Sequence, residues 1–486
     1  MTTLEQSTYP LVIGKDLVQG KTIDLIEPAT GEVFAHAVNG TVNDVINAVA
    51  NAKEAQSTWA ALTPGERTHA MLMFANALEQ NTEHLAKLES QNAGKLLRDA
   101  QGEIAGAVDG LRYFAGIARR VEGIGAGSYW TGTTSFIRRE PISVVAVITP
   151  WNFPLLTAIS LCAAAMAAGN AVVVKPAPNT PITTLEAARL ALASGFPAGV
   201  LNVVTGGADV GEALVEHPDV GMIAFTGSTR TGKRIAELAA KHVKRCTLEL
   251  GGKAPFIVFD DADIEVSIQT ALYAAYANAG QSCTAATRFY IHESRYEMFI
   301  EKFTEASKAL KIGSLELDST DIGPLSSQAQ QERVHSYVEV AKREGIKVVL
   351  GGEVPKGKGF YYPPTIFVDV PQGSSIVQEE IFGPVVVINS FTDEDEVIRF
   401  ANDTPYGLSA SVWTKDIERA MRVTAKLQSG TVWINEHGPL PAELPHGGFK
   451  QSGFGKDQSH YALEQYTIPK HVTLRTPLNI KPQARS

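Results

Sequence analysis

Cysteine is scarce in this chain: Cys162, Cys246 and Cys283 are the only three among 486 residues. Three thiols without paired spacing build neither a disulfide framework nor a zinc site, and they point to a reducing compartment, the cytoplasm. A basic excess is missing too. The net charge of −9 argues against nucleic acid or an anionic membrane as partner. The longest apolar run, near residues 155–168, falls short of the roughly 20 residues a membrane span needs and carries Thr157 and Ser160. The N-terminal MTTLEQSTYP lacks the basic and apolar segments of a signal peptide. No repeat or low-complexity tract occurs. His437, His446 and His460 are scattered, show no metal spacing and read as ordinary polar residues.

What remains is the composition of a globular protein, 44% hydrophobic and 20% charged, long enough for two or three domains. Residues 11–40 read as short strands and hairpins. From 42 to about 120 the period turns helical: Val45, Ile46, Val49 and Ala52, then Met71, Phe74, Leu78 and Leu85, recur at three- and four-residue steps. Pro64 fits a helix start with Thr63 as N-cap. A glycine-rich passage, 122–132, precedes an alternating strand at 133–139. The β-branched run 142–148 has the look of a strand buried on both faces. Strands at 171–174, 200–204, 220–225 and 245–250 then alternate with helices at 181–193, 210–216 and 231–240, which implies an α/β fold on a parallel sheet. A second α/β series runs from 256 to 435, placing a boundary near Gly251-Gly252. The tail, 461–475, alternates again and reads as a strand that pairs with 133–139 or with a neighbouring subunit.

One stretch draws attention as chemistry. Asn278-Ala279-Gly280-Gln281-Ser282-Cys283-Thr284 sets a thiol among small and polar residues rather than the aliphatic neighbours of a core cysteine. Cys162, among alanines, and Cys246 fit that structural role instead. Upstream, Leu248-Glu249-Leu250-Gly251-Gly252 puts a carboxyl between leucines, where its pKa rises and a base or acid role becomes available. Thr149-Pro150-Trp151-Asn152-Phe153-Pro154 follows the buried strand, and its prolines make a rigid setting for an Asn152 amide that could hold an oxyanion. Gly227 and Ser228 sit where a strand hands over to a helix, a place suited to phosphate. Lys175 ends an adjacent strand, where a ribose or phosphate contact is expected.

Together these residues resemble the aldehyde dehydrogenase superfamily. TPWNFP, KPAPNTP, FTGSTRTGK, LELGGKAP, GQSC, EEIFGP, PYGL and GGFKQSG stand in that family's order over nearly the whole chain. The resemblance implies an aldehyde dehydrogenase-like fold. It has a Rossmann-like nucleotide-binding domain (1–126 and 144–251), an α/β catalytic domain (252–460) and a small β oligomerisation element (127–143 and 461–486) that joins homodimers or homotetramers. It implies NAD or NADP as cofactor and a small-molecule aldehyde as substrate. Cys283 would be the nucleophile, Asn152 with the Cys283 backbone N–H the oxyanion site, and Glu249 the base that activates water. Glu380 matches the residue that holds the nicotinamide ribose, Phe382 lines that site, and Lys175, Gly227 and Ser228 match the adenosine and pyrophosphate contacts. Pro150, Trp151, Leu250 and Gly251 are expected beside the nucleotide. Phe153, Ser282, Thr284 and His446 are expected around the aldehyde.

The departures bear on specificity. Pro178 stands where NAD-preferring relatives often have Glu, so no carboxylate repels a 2′-phosphate. Ser160 and Leu161 replace a Trp-Lys pair, which opens one wall of the aldehyde tunnel and weakens a betaine-aldehyde reading, since a quaternary ammonium favours aromatic walls. The stretches 241–263, 278–286 and 444–456 look like the 4-aminobutyraldehyde branch, with Glu103 as the candidate anchor for an ω-amino group and Glu443 and Asp109 as further acids; the alternative is that all three are solvated surface carboxylates, the preferred reading for Asp109. The other readings are a semialdehyde or an aromatic or aliphatic aldehyde as substrate, a CoA-acylating enzyme, which Glu249 argues against, and a catalytically silent structural relative.

Overall fold

The computed structural model describes residues 7–120 and 123–475. Residues 476–486 of the expected oligomerisation element, and Glu122 at the start of the glycine-rich passage, lie outside the described residues.

Helices come first. Thr41 and Thr63 each open one with a reciprocal cap: the Thr63 hydroxyl accepts from the Glu66 N–H at 3.3 Å while the Glu66 carboxylate accepts from the Thr63 N–H at 2.7 Å. The expected start at Pro64 is where helix Pro64–Gln80 begins. Helices Val42–Ala61, Pro64–Gln80, Thr82–Ala93 and Leu97–Ile117 pack around an eight-stranded sheet.

In that sheet Val144–Ile148 lies at the centre, every residue buried. Ala171–Lys175 and then Leu201–Val203 extend it on one side, Val220–Thr226 and then Arg245–Glu249 on the other, all parallel. The order therefore reverses beside Val144–Ile148, and the loops that leave Ile148 and Thr226 part company at the carboxyl edge. A crevice for ligands opens there. The wholly parallel sheet expected from the β-α-β rhythm is closed by antiparallel edges, the hairpin Leu11–Ile13/Asp16–Val18 and the two-residue strand Gly453–Phe454.

A seven-stranded sheet follows, centred on Ala286–His292 with Ala254–Val258 and Val385–Phe391 on either side. The chain crosses from one sheet to the other between Glu249 and Ala254, through Gly251-Gly252. The strand Thr365–Val368 in this sheet was not foreseen; two prolines precede it and mask its pattern.

The tail departs from its expected form. Residues 461–465 belong to helix Ser459–Gln465, because Ala462, Leu463 and Tyr466 share one buried face. The strand is Thr467–Arg475. It pairs antiparallel with Thr133–Pro141 as a two-stranded ribbon.

Candidate active site

A cleft of about 940 Å³ lies between the carboxyl edges of the two sheets. Its floor is a turn. Helix Ile264–Tyr276 ends, and Asn278, Ala279 and Gly280 follow with φ of 51°, 54° and 72°. Left-handed backbone costs a non-glycine residue roughly 1–2 kcal/mol, so something must hold the first two. Asn278 Nδ2 donates to the carbonyls of Asn152 (3.0 Å) and Gln281 (3.2 Å). Gln281, itself buried, donates to the Asn278 carbonyl at 3.0 Å and accepts from the Ser326 N–H at 2.9 Å.

That turn delivers Cys283 to the cleft wall. Its carbonyl oxygen passes so close to Gly252 that a Cβ there would stand 2.3 Å away. Burial pushes the thiol up to about 12, and the carboxylates of Glu380 and Glu249 add to the shift. The neighbouring Thr284 carbonyl is held by His437 Nε2 at 2.8 Å, while His437 Nδ1 meets the Ser411 hydroxyl at 3.1 Å. Burial drives His437 down to about 4, so it is neutral, and donation to a carbonyl fixes its proton on Nε2.

Asn152 arrives from the opposite sheet, in the turn after Val144–Ile148. Its Nδ2 donates to the Gln281 carbonyl at 3.0 Å, so the two turns are fastened to each other in both directions. Glu249 ends its strand in the same cleft. Both of its carboxylate oxygens are buried without a hydrogen-bond partner among the described residues. Its pKa is raised well above the carboxylate range by burial and then by Asp457, with Lys456 opposing. Asp457 is itself pushed up to about 7 by burial. It faces His446 across a pair of backbone hydrogen bonds, each 2.8 Å. His446 lines the cleft and is taken down to about 4 by burial and by Lys456.

The nucleotide side is built of close approaches. Ser228 caps helix Thr229–Ala240, accepting from the Thr231 N–H at 3.3 Å, and the first residues of that helix line the cleft. The Gly227 N–H donates to the Glu249 carbonyl at 3.0 Å, which ties the phosphate turn to the base. Glu380 accepts from the Gly252 N–H at 2.9 Å and presses on Gly251, where a Cβ would meet its carboxylate at 2.3 Å. Burial raises Glu380 to about 7. Phe382 stands edge-on to Trp151, ring centroids 5.2 Å apart. Pro150 and Leu250 complete this wall. A bare-glycine turn opening onto a helix N-terminus, with a carboxylate beyond it, fits a dinucleotide.

Two expected nucleotide contacts are set apart. Lys175 does not line the cleft: it is buried, donates to the Pro176 carbonyl at 3.1 Å, and burial lowers it to about 8 against the opposing charge of Asp209. Pro178 is exposed and also outside the cleft lining.

On the substrate side Phe153, Ser160, Ser282, Thr284 and Glu103 all line the cleft. Leu156, Thr157 and Ser160 form the one incompletely buried face of helix Pro154–Ala167. Glu103 does not stand free as an anchor. Lys95, buried behind it, forms an ion pair with its carboxylate. Glu443 and Asp109 do not line the cleft; Asp99 does. Sequence reading missed Asp457 and Lys95 and took His437 for an ordinary polar residue. Asp457 follows directly on the stretch 444–456 and was within reach, as was the Lys95–Glu103 pair eight residues apart, whereas the His437–Thr284 contact joins residues far apart along the chain.

The model of the aldehyde dehydrogenase family matches residues 17–472. A betaine aldehyde dehydrogenase of Bacillus subtilis is 42% identical over 459 residues, covering 93% of this chain and 94% of that one. The NAD+ complex of an aldehyde dehydrogenase from Bacillus cereus superposes with a TM-score of 0.94 at 40% identity, covering 96% of each chain. A betaine aldehyde dehydrogenase from Staphylococcus aureus, solved with NAD+, superposes with a TM-score of 0.95 at 37% identity, covering 97% of each.

Proposed function

The chain belongs to the aldehyde dehydrogenase family, and from that premise we propose that it oxidises a small aldehyde to its acid through a thioester on Cys283, with Asn152 and Glu249 as partners. The observation that carries this reading is the meeting of the three side chains in one cleft, from two different sheets, beside the Gly227–Ser228 turn.

Cys283 as thiolate adds to the aldehyde carbonyl. The oxygen that gains charge is held by the second N–H of the Asn152 amide and the Cys283 backbone N–H. Gly227, Ser228, Gly251, Glu380 and Phe382 would hold NAD or NADP, which would supply the acceptor for the hydride that the adduct gives away. The thioester left on Cys283 needs water. Glu249, deprotonated, removes a proton from that water, and collapse of the second adduct returns the sulfur and frees the acid. The described residues of the first sheet with its helices form the nucleotide domain, the second sheet the catalytic domain, and the ribbon Thr133–Pro141/Thr467–Arg475 joins copies of the chain.

For the substrate, the charges near the mouth support an aldehyde with a cationic amino group, 4-aminobutyraldehyde being the first to try. Asp99 and Glu103 both line the cleft, Asp99 at 3.8 Å from Arg98 and Glu103 paired with the buried Lys95. The relatives named for betaine aldehyde act on a cationic aldehyde too.

The test is pre-steady-state nucleotide reduction. Glu249→Gln should give one burst of reduced nucleotide and then stall, with kcat down by about 100-fold or more, and Cys283→Ala should give no burst. Steady turnover by either variant at the parent rate would sink the mechanism.

A further inference from the structure

The end of helix Thr82–Ala93 and the residues after it form an unusually polar piece of the interior. Glu89 is 1% exposed, Asn92 3% and Lys95 2%. Buried charges are costly, and a well-packed apolar replacement is often no less stable, so stability gives no reason for this cluster. Its bonds point to another reason. Glu89 Oε1 accepts from the Leu155 N–H at 3.2 Å, one of the free amides in the first turn of helix Pro154–Ala167, and its other oxygen accepts from the Thr183 hydroxyl. Lys95 Nζ lies 3.9 Å from the centroid of the Phe153 ring and pairs with Glu103. Asn92 reaches the next strand's turn: it donates to the Asn179 carbonyl at 2.9 Å and accepts from the Ile182 N–H at 3.4 Å.

One short segment therefore grips the turns that leave two adjacent strands, Val144–Ile148 and Ala171–Lys175. Phe153 and Leu155 follow directly on Asn152. On its other side Asn152 is fastened to the turn that carries Cys283. Without a brace behind it, the 150–155 turn could follow the cysteine turn's motions or drift from them, and a donor misplaced by about 1 Å loses much of its effect.

We propose that Glu89 and Lys95 are positioning residues for the oxidation, fixing through Leu155 and Phe153 the turn that presents the Asn152 amide. The assignment rests on Asn152 being the oxyanion donor, so the experiment tests both separately. It compares kcat/KM for one aldehyde in the parent, Lys95→Met, Asn152→Ala and the double variant. Lys95→Met should lower kcat/KM about tenfold in the parent and have almost no effect in the Asn152→Ala background, since residues acting through one another do not add. Alkylation of Cys283 by iodoacetamide, which needs the thiol but builds no carbonyl oxyanion, should proceed at the parent rate. Lys95→Arg, which keeps the charge over the ring, should recover most of the loss. An equal loss in both backgrounds, or no loss in either, overturns the proposal and leaves Asn152 untouched. Full activity of Asn152→Ala alone removes the premise instead. Should Lys95→Met fail to fold, Glu89→Gln is put through the same cycle with the same expected outcome.

Discussion

Glu249 and Asp457 are two carboxyls crowded into one buried site, and a charge on Asp457 makes it harder for Glu249 to ionise. The direction of the consequence can be worked out. A negative Asp457 raises Glu249, so removing that charge must lower it. With the base deprotonated at lower pH, the acid limb of the kcat profile in Asp457→Asn should move to lower pH; a move to higher pH would mean that Asp457 supports the charged base. At this scale the sequence was legible where chemistry is local. Cys283 among small residues and Glu249 between leucines could be singled out from their neighbours. The Lys95–Phe153 and His437–Thr284 contacts could not, because each joins segments that only the folded layers bring together.

One element that stores strain is the turn before the nucleophile. Ala279 has φ of 54° with no side-chain polar group to stabilise it. Replacing it with glycine removes roughly 1–2 kcal/mol of steric cost and adds about 0.5–1 kcal/mol of unfolded-chain entropy. Ala279→Gly should therefore raise the melting temperature slightly while lowering kcat, because a glycine turn no longer fixes Cys283 in one place. A variant that is both less stable and fully active would show that the turn carries no such strain. Strands with continuous β-branched runs, such as Val144–Ile148, were plain in the sequence. Helix Ser459–Gln465 was not: its apolar residues mimic alternation over a stretch too short to separate the two periods.

Across the whole molecule the ribbon Thr133–Pro141/Thr467–Arg475 stands as a two-stranded sheet, a form that is marginal by itself in water. Near it Tyr129 and Trp130 are 71% and 78% exposed. Light scattering should find a dimer or larger assembly, and Trp130→Glu should shift it toward smaller species; a monomeric parent would refute the joining role. The α/β organisation was readable from the rhythm of strands and helices, while its antiparallel edges were not, since they come from short strands remote in sequence. The cleft also has a lineage to be read forwards. A side chain at Gly252 would collide with the Cys283 carbonyl, yet one at Gly102 would meet nothing within 4 Å and one at Gly106 only Leu156, 3.6 Å away. Inheritance is thus free at the mouth and closed at the centre. Single mutations at Gly102, Gly106 or Ser160 give descendants of this gene one-step routes to a narrower diet of aldehydes, with the reaction itself passed on unchanged.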